Sequence, residues 1–126
     1  MLTIKEAADK RAVRSFLDSL GVSDSVSEDI VMCCEENGRI LGVSSLTLTE
    51  GKVYLNLLIM VGDADEMSLK LGLAKALLNL ADLRGIKKIY GRSEALENIY
   101  TALRFQKEEE EYSVSLEGYF TAGHAE

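Results

Sequence analysis

The fold is decided by residues 52–91, which have the sequence KVYLNLLIMVGDADEMSLKLGLAKALLNLADLRGIKKIYG. Apolar side chains recur at every second position along residues 52–61, which predicts a β-strand. Residues 67–84 carry leucine and alanine at three- and four-residue spacing, which predicts a helix that ends at Gly85. Residues 86–91 predict a second, short strand. A strand, a helix and a strand in this order predict a right-handed crossover between parallel strands.

The first of these strands is apolar enough to lie inside a sheet. Strict alternation places five side chains on one face, namely Val53, Leu55, Leu57, Ile59 and Val61. In the second half of the strand, Leu58 and Met60 make the opposite face apolar as well. We therefore expect a central strand that is covered on both faces.

Two tight turns lie upstream of this strand. Asn37-Gly38 follows a strand-like segment at residues 29–36, and Glu50-Gly51 follows another at residues 39–49. Asparagine and glycine tolerate the positive φ angles that two-residue hairpin turns require, which makes Asn37-Gly38 the stronger of the two signals. The sequence therefore predicts three consecutive antiparallel strands before the crossover.

The two ends of the chain complete the predicted architecture. Asp9 is expected to cap a helix that runs to about Leu20, with Gly21 after its end. The other segments are predicted as a strand (residues 2–4), a polar loop (23–27), a helix (94–103) and two strands (105–107 and 112–116) on either side of an acidic run (108–111). These elements predict one α/β domain over residues 1–126, with a mixed, mostly antiparallel sheet of six or seven strands flanked by helices.

Composition limits the classes of function. The 126 residues carry 14 Lys+Arg against 21 Asp+Glu, a net charge of -7, which argues against nucleic-acid binding. No apolar run approaches the ~20 residues that span a bilayer, and residues 1–6 lack the apolar stretch of a secretory signal, so we expect a cytoplasmic protein without membrane contact.

A zinc site or a Ser-His-Asp site would need more histidine than this chain has, or a different set of ligands. The chain has one histidine, His124, and two adjacent cysteines. Because neighbours on a strand point to opposite faces, we expect one of Cys33 and Cys34 to lie in the core and the other to be partly exposed.

Two short segments and the order of the elements point to a family. Residues 98–105 are NIYTALRF, and residues 69–74 are LKLGLA. The first resembles the aromatic-Tyr-x-x-Leu-Gly-Phe segment of the GNAT superfamily of acyl-CoA N-acyltransferases, with Ile99 in place of the aromatic residue and Arg104 in place of the glycine. The second resembles the (Arg/Gln)-x-x-Gly-x-(Gly/Ala) loop that enters the long helix of that family, with Leu69 in place of the Arg or Gln.

The resemblance implies transfer of an acetyl group from acetyl-CoA to a primary amine of a small molecule or a protein, by direct attack on the thioester. Tyr100 matches the tyrosine that protonates the leaving thiolate in the family, and a phenol with a pKa of about 10 suits that step. A helix N-terminus holds phosphate through its free N–H groups. The implied cofactor-binding residues are Ile59, Met60 and Val61 for the pantetheine arm, and Lys70, Leu71, Gly72, Leu73 and Ala74 for the pyrophosphate.

Other residues favour a second hypothesis. Asp63, Asp65 and Glu66 lie in the loop where a pyrophosphate would bind, and like charges ~4 Å apart repel by about 1 kcal/mol in water. Asn56 stands where some members of the family have a glutamate base, and an amide cannot accept that proton. The second hypothesis is a GNAT-fold protein without catalytic activity, which acts as a ligand-binding, regulatory or interaction module and could form a homodimer.

Four of these features also have purely structural interpretations. Asp65 or Ser68 could simply cap the long helix. Tyr100 could be a packing residue, and Gly72 could mark the close approach of either a ligand or a neighbouring strand. The acidic run at residues 108–111 is either a solvated turn or a surface that attracts a cationic amine.

Overall fold

The computed structural model describes residues 2–22 and 30–120, so the loop predicted at residues 23–27, Asp29 and His124 lie outside the described residues. The strands are β1 (Leu2–Glu6), β2 (Val31–Glu36), β3 (Arg39–Thr49), β4 (Lys52–Met60), β5 (Lys88–Gly91), β6 (Gln106–Glu108) and β7 (Glu111–Ser115). The helices are α1 (Lys10–Ser19), α2 (Met67–Leu83) and α3 (Glu97–Ala102), with short 3-10 turns at Gly62–Ala64 and Glu94–Leu96.

The strands form one sheet in the order β1-β2-β3-β4-β5-β7-β6. Neighbouring strands are antiparallel except for β4 and β5, which are parallel and are joined through α2. The predicted crossover and the predicted mixed sheet are therefore confirmed. The turns are confirmed as well: Asn37 and Gly38 have φ angles of 54° and 79°, and Glu50 and Gly51 have φ angles of 53° and 79°.

The two long helices begin in different ways. Asp9 caps α1, since its carboxylate accepts hydrogen bonds from the N–H groups of Arg11 (3.0 Å) and Ala12 (3.2 Å), as predicted. At the start of α2 the N-cap residue is Glu66, whose side chain accepts no backbone N–H there. The prediction that Asp65 or Ser68 caps this helix is wrong, because the Ser68 hydroxyl donates to the Glu66 carboxylate instead.

The core has two layers, one on each face of the sheet. The α2 layer buries the helix residues Leu73, Ala74, Leu77, Leu78 and Ala81 against side chains of the sheet such as Leu46, Leu55 and Ile89. The α1 layer buries Val13 and Leu17 against Val31 and Val43. None of the helices in the described part of the chain is long and apolar enough to cross a bilayer.

A β-bulge interrupts the pairing of β3 with β4. Leu46 lies opposite Leu55, and the preceding residue Ser45 lies opposite Leu57, so that Asn56 is an extra residue in β4. A bulge of this kind shifts the alternation of the strand by one residue. The side chains that follow Asn56 therefore lie on the face of the sheet opposite to the one that strict alternation from residues 52–55 would give them.

The bulge changes which faces the apolar side chains of β4 occupy. Leu55 lies in the α2 layer, but Leu57 and Ile59 pack in the α1 layer, while Leu58 and Met60 join the α2 layer. The prediction that Val53, Leu55, Leu57, Ile59 and Val61 share one face is therefore wrong. The prediction that this strand lies mid-sheet with apolar contacts on both faces is confirmed, since α2 and α1 cover opposite faces.

The two cysteines of β2 are both buried. Cys33 packs in the α1 layer with 1% of its surface exposed, and Cys34 packs in the α2 layer with 0% exposed. The prediction that one of them is partly exposed is wrong, because β2 has a helix layer on each face. Both are free thiols.

We expect the two thiols of the folded protein to react slowly with a thiol-reactive chromogenic disulfide at neutral pH. Burial, together with the hydrogen bond and charge of Glu35, raises the pKa of Cys33 to about 11. Burial also raises the pKa of Cys34. Because the thiolate is the reactive form, both thiols should react readily only after unfolding in urea. Rapid reaction of the native protein would contradict this packing of β2.

Candidate active site

β4 and β5 separate close to the bulge. They pair in register at Tyr54 and Tyr90. β5 ends one residue later at Gly91, whereas β4 continues to Met60, and no described strand pairs with residues 57–60 on the β5 side. At this point the side chains of two residues bond to backbone groups of β4 and of the segment after β5. We call the bonded residues the β4–β5 junction: Leu55, Asn56, Arg92, Ser93 and Tyr100.

Tyr100 places its hydroxyl at the centre of the junction. The hydroxyl donates to the Leu55 carbonyl oxygen at 2.6 Å and accepts the Ser93 N–H at 3.2 Å. Its ring is fully buried. Burial raises the pKa of Tyr100, although the neighbouring backbone N–H groups of Ser93 and Arg92 act in the opposite direction. The phenol is therefore protonated at neutral pH and joins the two separating segments.

Asn56, the bulge residue, forms the second bridge. Its Oδ1 accepts the Arg92 N–H at 3.2 Å and lies 3.4 Å from the Tyr100 hydroxyl oxygen. Where strands separate, backbone groups lose their ladder partners and must find others if they are buried. Asn56 and Tyr100 supply these partners for the Leu55 carbonyl and for the N–H groups of Arg92 and Ser93.

Gly91 makes room for the tyrosine ring. A Cβ atom at this position would lie 2.2 Å from Cζ of Tyr100 and 2.6 Å from its hydroxyl oxygen. The ring also packs against Phe105 and Tyr112, with centroid distances of 5.1 and 5.0 Å. No role was predicted for Gly91 from the sequence, although a glycine inside a strand is a recognised signal of close approach.

At the end of β4, the backbone N–H and C=O groups of successive residues face β3 and the β5 side in turn. The Val61 N–H donates to the Leu41 carbonyl of β3 at 2.9 Å. Because successive residues of a strand direct their N–H and C=O groups to alternate edges, those of Met60 point toward the β5 side. Met60 lies directly opposite Gly42 of β3, and its side chain is buried. Among Ile59, Met60 and Val61, Met60 is thus the residue whose backbone faces the separation of the strands.

This chain is similar to known proteins in its structure rather than in its sequence. No protein-family model matches the sequence, and no curated protein matches it. Solved structures do match. N-acetylglutamate synthase from Neisseria gonorrhoeae, in complex with coenzyme A and N-acetyl-glutamate, superposes with a TM-score of 0.69 at 13% identity; the match covers 92% of this chain and 35% of that one. This chain thus spans about a third of the length of the synthase.

Two further structures match over almost their whole length. A GNAT-family acetyltransferase from Streptococcus pneumoniae has a TM-score of 0.70 at 16% identity, over 92% of this chain and 99% of its own. An N-acetyltransferase from Staphylococcus aureus has a TM-score of 0.70 at 15% identity, over 92% of this chain and 98% of its own. The chain has the GNAT fold. At sequence identities of 13–16%, this similarity establishes the fold alone. The activity has to be argued from the residues of the site.

In this GNAT fold the residues predicted to bind pyrophosphate lie inside α2. The helix begins at Met67, so the motif-like residues 69–74 form part of its first two turns. Leu73 and Ala74 are buried in the α2 layer. Gly72 lies beside β1, where an added Cβ would be 3.4 Å from Cδ1 of Ile4. Of the two interpretations of Gly72, the structure therefore supports the close approach of a neighbouring strand, β1.

Acidic side chains surround the start of α2. Asp63, Asp65 and Glu66 are exposed, and the Lys70 ammonium forms an ion pair with Asp65 at 2.7 Å. The charge of Lys70 is therefore partly neutralised within the loop. Among the residues that the structure describes, no group of three or more His, Cys, Asp and Glu side chains could hold a metal ion.

The acidic run divides into two parts. Glu108, Glu109 and Glu110 are exposed around the β6–β7 turn, as the solvated-turn interpretation predicts. Glu111 instead turns onto the sheet, where it accepts hydrogen bonds from the Tyr54 hydroxyl at 2.8 Å and from Lys52 at 3.4 Å. The hydrogen bond from Tyr54, followed by the contacts with Lys52, lowers the pKa of Glu111.

We expect Glu111→Gln to destabilise the protein at neutral pH and to have less effect in acid. A carboxylate whose pKa is lowered in the folded state stabilises that state above its unfolded pKa of about 4.3, and this contribution disappears as the pH falls through the folded pKa. Urea unfolding at neutral pH and at about pH 3 measures the difference. Glu110→Gln, on the exposed turn, is the matched control and should show no such dependence.

Proposed function

We propose that this chain is an N-acetyltransferase that transfers an acetyl group from acetyl-CoA to a primary amine. The observation that carries the proposal is the β4–β5 junction, where the Tyr100 phenol lies beside the β4 edge left unpaired by the separation of the strands. The GNAT fold supports it, as does the fact that two matching structures hold coenzyme A. The acceptor amine belongs to a small molecule or to a protein.

Groups at and beside the junction suit the carbonyl oxygen and the leaving sulfur of such a reaction. Acetyl-CoA supplies an activated thioester: the neutral amine nitrogen bonds to its carbonyl carbon, the carbon–sulfur bond breaks, the nitrogen releases one proton to water, and the sulfur takes up one proton. The N–H of Met60 is the proposed donor to the carbonyl oxygen, a role that fixed backbone dipoles commonly fill. Tyr100 is the proposed proton donor to sulfur, and the Ser93 N–H is placed to stabilise the phenolate that results.

The fit is less favourable at the phosphate end. The first turn of α2 offers N–H groups and the positive end of a helix dipole, which attract anions. Asp63, Asp65 and Glu66 act against this attraction. We propose that Ile59, Met60 and Val61 hold the pantetheine arm and that Lys70 and Leu71 lie nearest the phosphates, with Gly72, Leu73 and Ala74 supporting them from within the helix. The expected affinity is modest and should rise as salt screens the repulsion between those carboxylates and the phosphates, because Lys70, itself paired with Asp65, offsets only part of the negative charge.

An acetyl-transfer assay tests the proposal. The purified chain is mixed with acetyl-CoA and a set of primary amines that includes amino acids, a polyamine and peptides with free α- or ε-amino groups. Release of free thiol is followed by absorbance, and the acetylated product by mass. We expect thiol release that requires both an amine and the protein. Thiol release at the uncatalysed rate with every amine class would overturn the proposal.

The second candidate function is a binding or regulatory module that does not transfer acetyl groups. The observation that favours it is the engagement of the Tyr100 proton at the Leu55 carbonyl, together with the carboxylates at the start of α2. Under this alternative, acetyl-CoA leaves the melting temperature of the protein unchanged. A concentration-dependent increase in melting temperature would count against it.

A further inference from the structure

We propose that Asn56 is a positioning residue, which holds the Tyr100 hydroxyl in place by fixing the first residues after β5. The inference rests on the proposed function for its catalytic consequence, but the positioning itself is a statement about the folded chain. As an amide, Asn56 cannot act as a base. Its contacts assign it a different task.

The bulge directs the Asn56 side chain across to the segment that follows β5. The extra residue falls where the register of β3 and β4 shifts, immediately after Leu55. Its Oδ1 accepts the N–H of Arg92 at 3.2 Å. Tyr54 and Tyr90 already pair the two strands before this point. The amide therefore extends the connection between β4 and β5 beyond the end of their ladder.

The side chains of Asn56 and Tyr100 together connect two consecutive residues of β4, Leu55 and Asn56, to two consecutive residues after β5, Arg92 and Ser93. On β4, Leu55 accepts the Tyr100 hydroxyl and Asn56 accepts the Arg92 N–H. After β5, Ser93 follows Arg92 directly and donates its own N–H to the Tyr100 hydroxyl oxygen at 3.2 Å. Fixing Arg92 therefore fixes the N–H of Ser93. That N–H and the Leu55 carbonyl together hold the phenol oxygen, so Asn56 acts on Tyr100 through the backbone of the connection.

The chemistry of the amide matters as well as its shape. A carboxylate at this position would also accept the Arg92 N–H, but it would place a negative charge near the phenol oxygen, which is 3.4 Å from Asn56 Oδ1. A negative neighbour disfavours the phenolate and makes the phenol a weaker acid. Asparagine accepts the same Arg92 hydrogen bond without placing a negative charge beside the phenol. This difference allows the two roles to be separated by substitution.

Three variants separate positioning from general stability. Asn56→Leu keeps the approximate volume and removes the acceptor. Asn56→Asp keeps the acceptor and adds a charge. Asn79→Leu is the matched control, because Asn79 is exposed on α2 and away from the junction. Each variant is made in the full chain and studied by amide hydrogen exchange and by NMR of tyrosine labelled with carbon isotope at Cζ.

We expect Asn56→Leu to speed exchange at Arg92 and Ser93 by about ten-fold or more relative to amides of α2, and to change the Cζ shift of Tyr100. Asn56→Asp should restore slow exchange and raise the pKa of Tyr100. If the protein transfers acetyl groups, Asn56→Leu should lower kcat by about ten-fold with little change in KM for acetyl-CoA, and it should add nothing further in a Tyr100→Phe background.

Two different failures would have different signatures. Unchanged exchange at Arg92 and Ser93 in Asn56→Leu, with an unchanged Tyr100 signal, would overturn the positioning role even in an active enzyme. Absence of acetyl transfer by the wild-type protein would overturn the proposed function, while the exchange and tyrosine measurements would still decide the positioning role. If Asn56→Leu fails to fold, Asn56→Asp decides the question. Exchange at Arg92 and Ser93 as slow as in the wild type, together with a higher pKa of Tyr100, is expected only if residue 56 faces both the Arg92 N–H and the phenol.

Discussion

Alanine in place of Gly91 is expected to lower the free energy of unfolding by about 3 kcal/mol, because the new methyl group would overlap the fully buried ring of Tyr100. The Cβ would stand 2.2 Å from Cζ and 2.3 Å from Cε1 of Tyr100. Phe105 and Tyr112 pack against the same ring at 5.1 and 5.0 Å. Any shift of the ring would also break the hydrogen bond to the Leu55 carbonyl. Urea unfolding of the purified variant measures the loss.

Gly72→Ala is the matched control for this prediction. An added Cβ there makes ordinary contact with Ile4 at 3.4 Å, and alanine is favoured over glycine in a helix by about 1 kcal/mol. Gly72→Ala should therefore be neutral or stabilising. The loss at Gly91 should also shrink in a Tyr100→Leu background, which removes the tip of the ring. A Gly91→Ala protein as stable as the wild type would show that the ring does not lie against β5.

Removal of one oxygen in Tyr100→Phe is expected to reduce both turnover and stability. The Leu55 carbonyl and the Ser93 N–H lose their side-chain partner, which should cost about 1–2 kcal/mol of unfolding free energy. If Tyr100 protonates the leaving thiolate, kcat should fall by about ten-fold or more with little change in acetyl-CoA affinity. Steady-state kinetics and urea unfolding measure the two effects separately.

Tyr119→Phe distinguishes the loss of a catalytic proton from the loss of a structural hydrogen bond. The Tyr119 hydroxyl donates to the Leu103 carbonyl at 2.9 Å, outside the β4–β5 junction. This variant should lose comparable stability while keeping its turnover. Unchanged turnover in Tyr100→Phe would remove Tyr100 from the mechanism and would leave it as the residue that joins β4 to the segment after β5.

Local signals in the sequence predicted most of the fold. The hairpin at Asn37-Gly38 follows from residues that tolerate positive φ, and Asp9 follows from the chemistry of helix caps. The crossover followed from the change of hydrophobic period between residues 52–61 and 67–84. In each case the determining residues are close together in the chain, so that pattern alone could identify the element.

The bulge could not be predicted in the same way. Asn56 is one polar residue in an apolar strand, and a regular strand tolerates such a residue on either face. The extra residue becomes visible only in the register with β3, which is a non-local property. Strict alternation therefore assigned Leu57 and Ile59 to the wrong face. The same bulge lies at the candidate site, so the least predictable part of β4 is also the part that carries the proposed chemistry.

The candidate site was predicted in part. Tyr100 was identified by its motif, but its burial depends on Gly91 and Tyr112, which lie apart from it in sequence. Residues 69–74 resemble a loop that enters a helix, but the helix predicted over residues 67–84 already includes them, and the structure places them inside α2. The role of Glu111 depends on a hydrogen bond from Tyr54, 57 residues away. No local pattern reveals a contact of that kind.

An NMR titration with acetyl-CoA tests the central claim most directly, because it asks whether the ligand binds and where. We expect the amide signals of Met60, Arg92 and Ser93 to shift in a saturable way, with smaller changes at exposed positions of α1. Saturation should need less acetyl-CoA as salt is added, because salt screens the repulsion from Asp63, Asp65 and Glu66. Absence of shifts at the β4–β5 junction with millimolar acetyl-CoA would contradict the assignment of this junction as the place where an acetyl group is transferred.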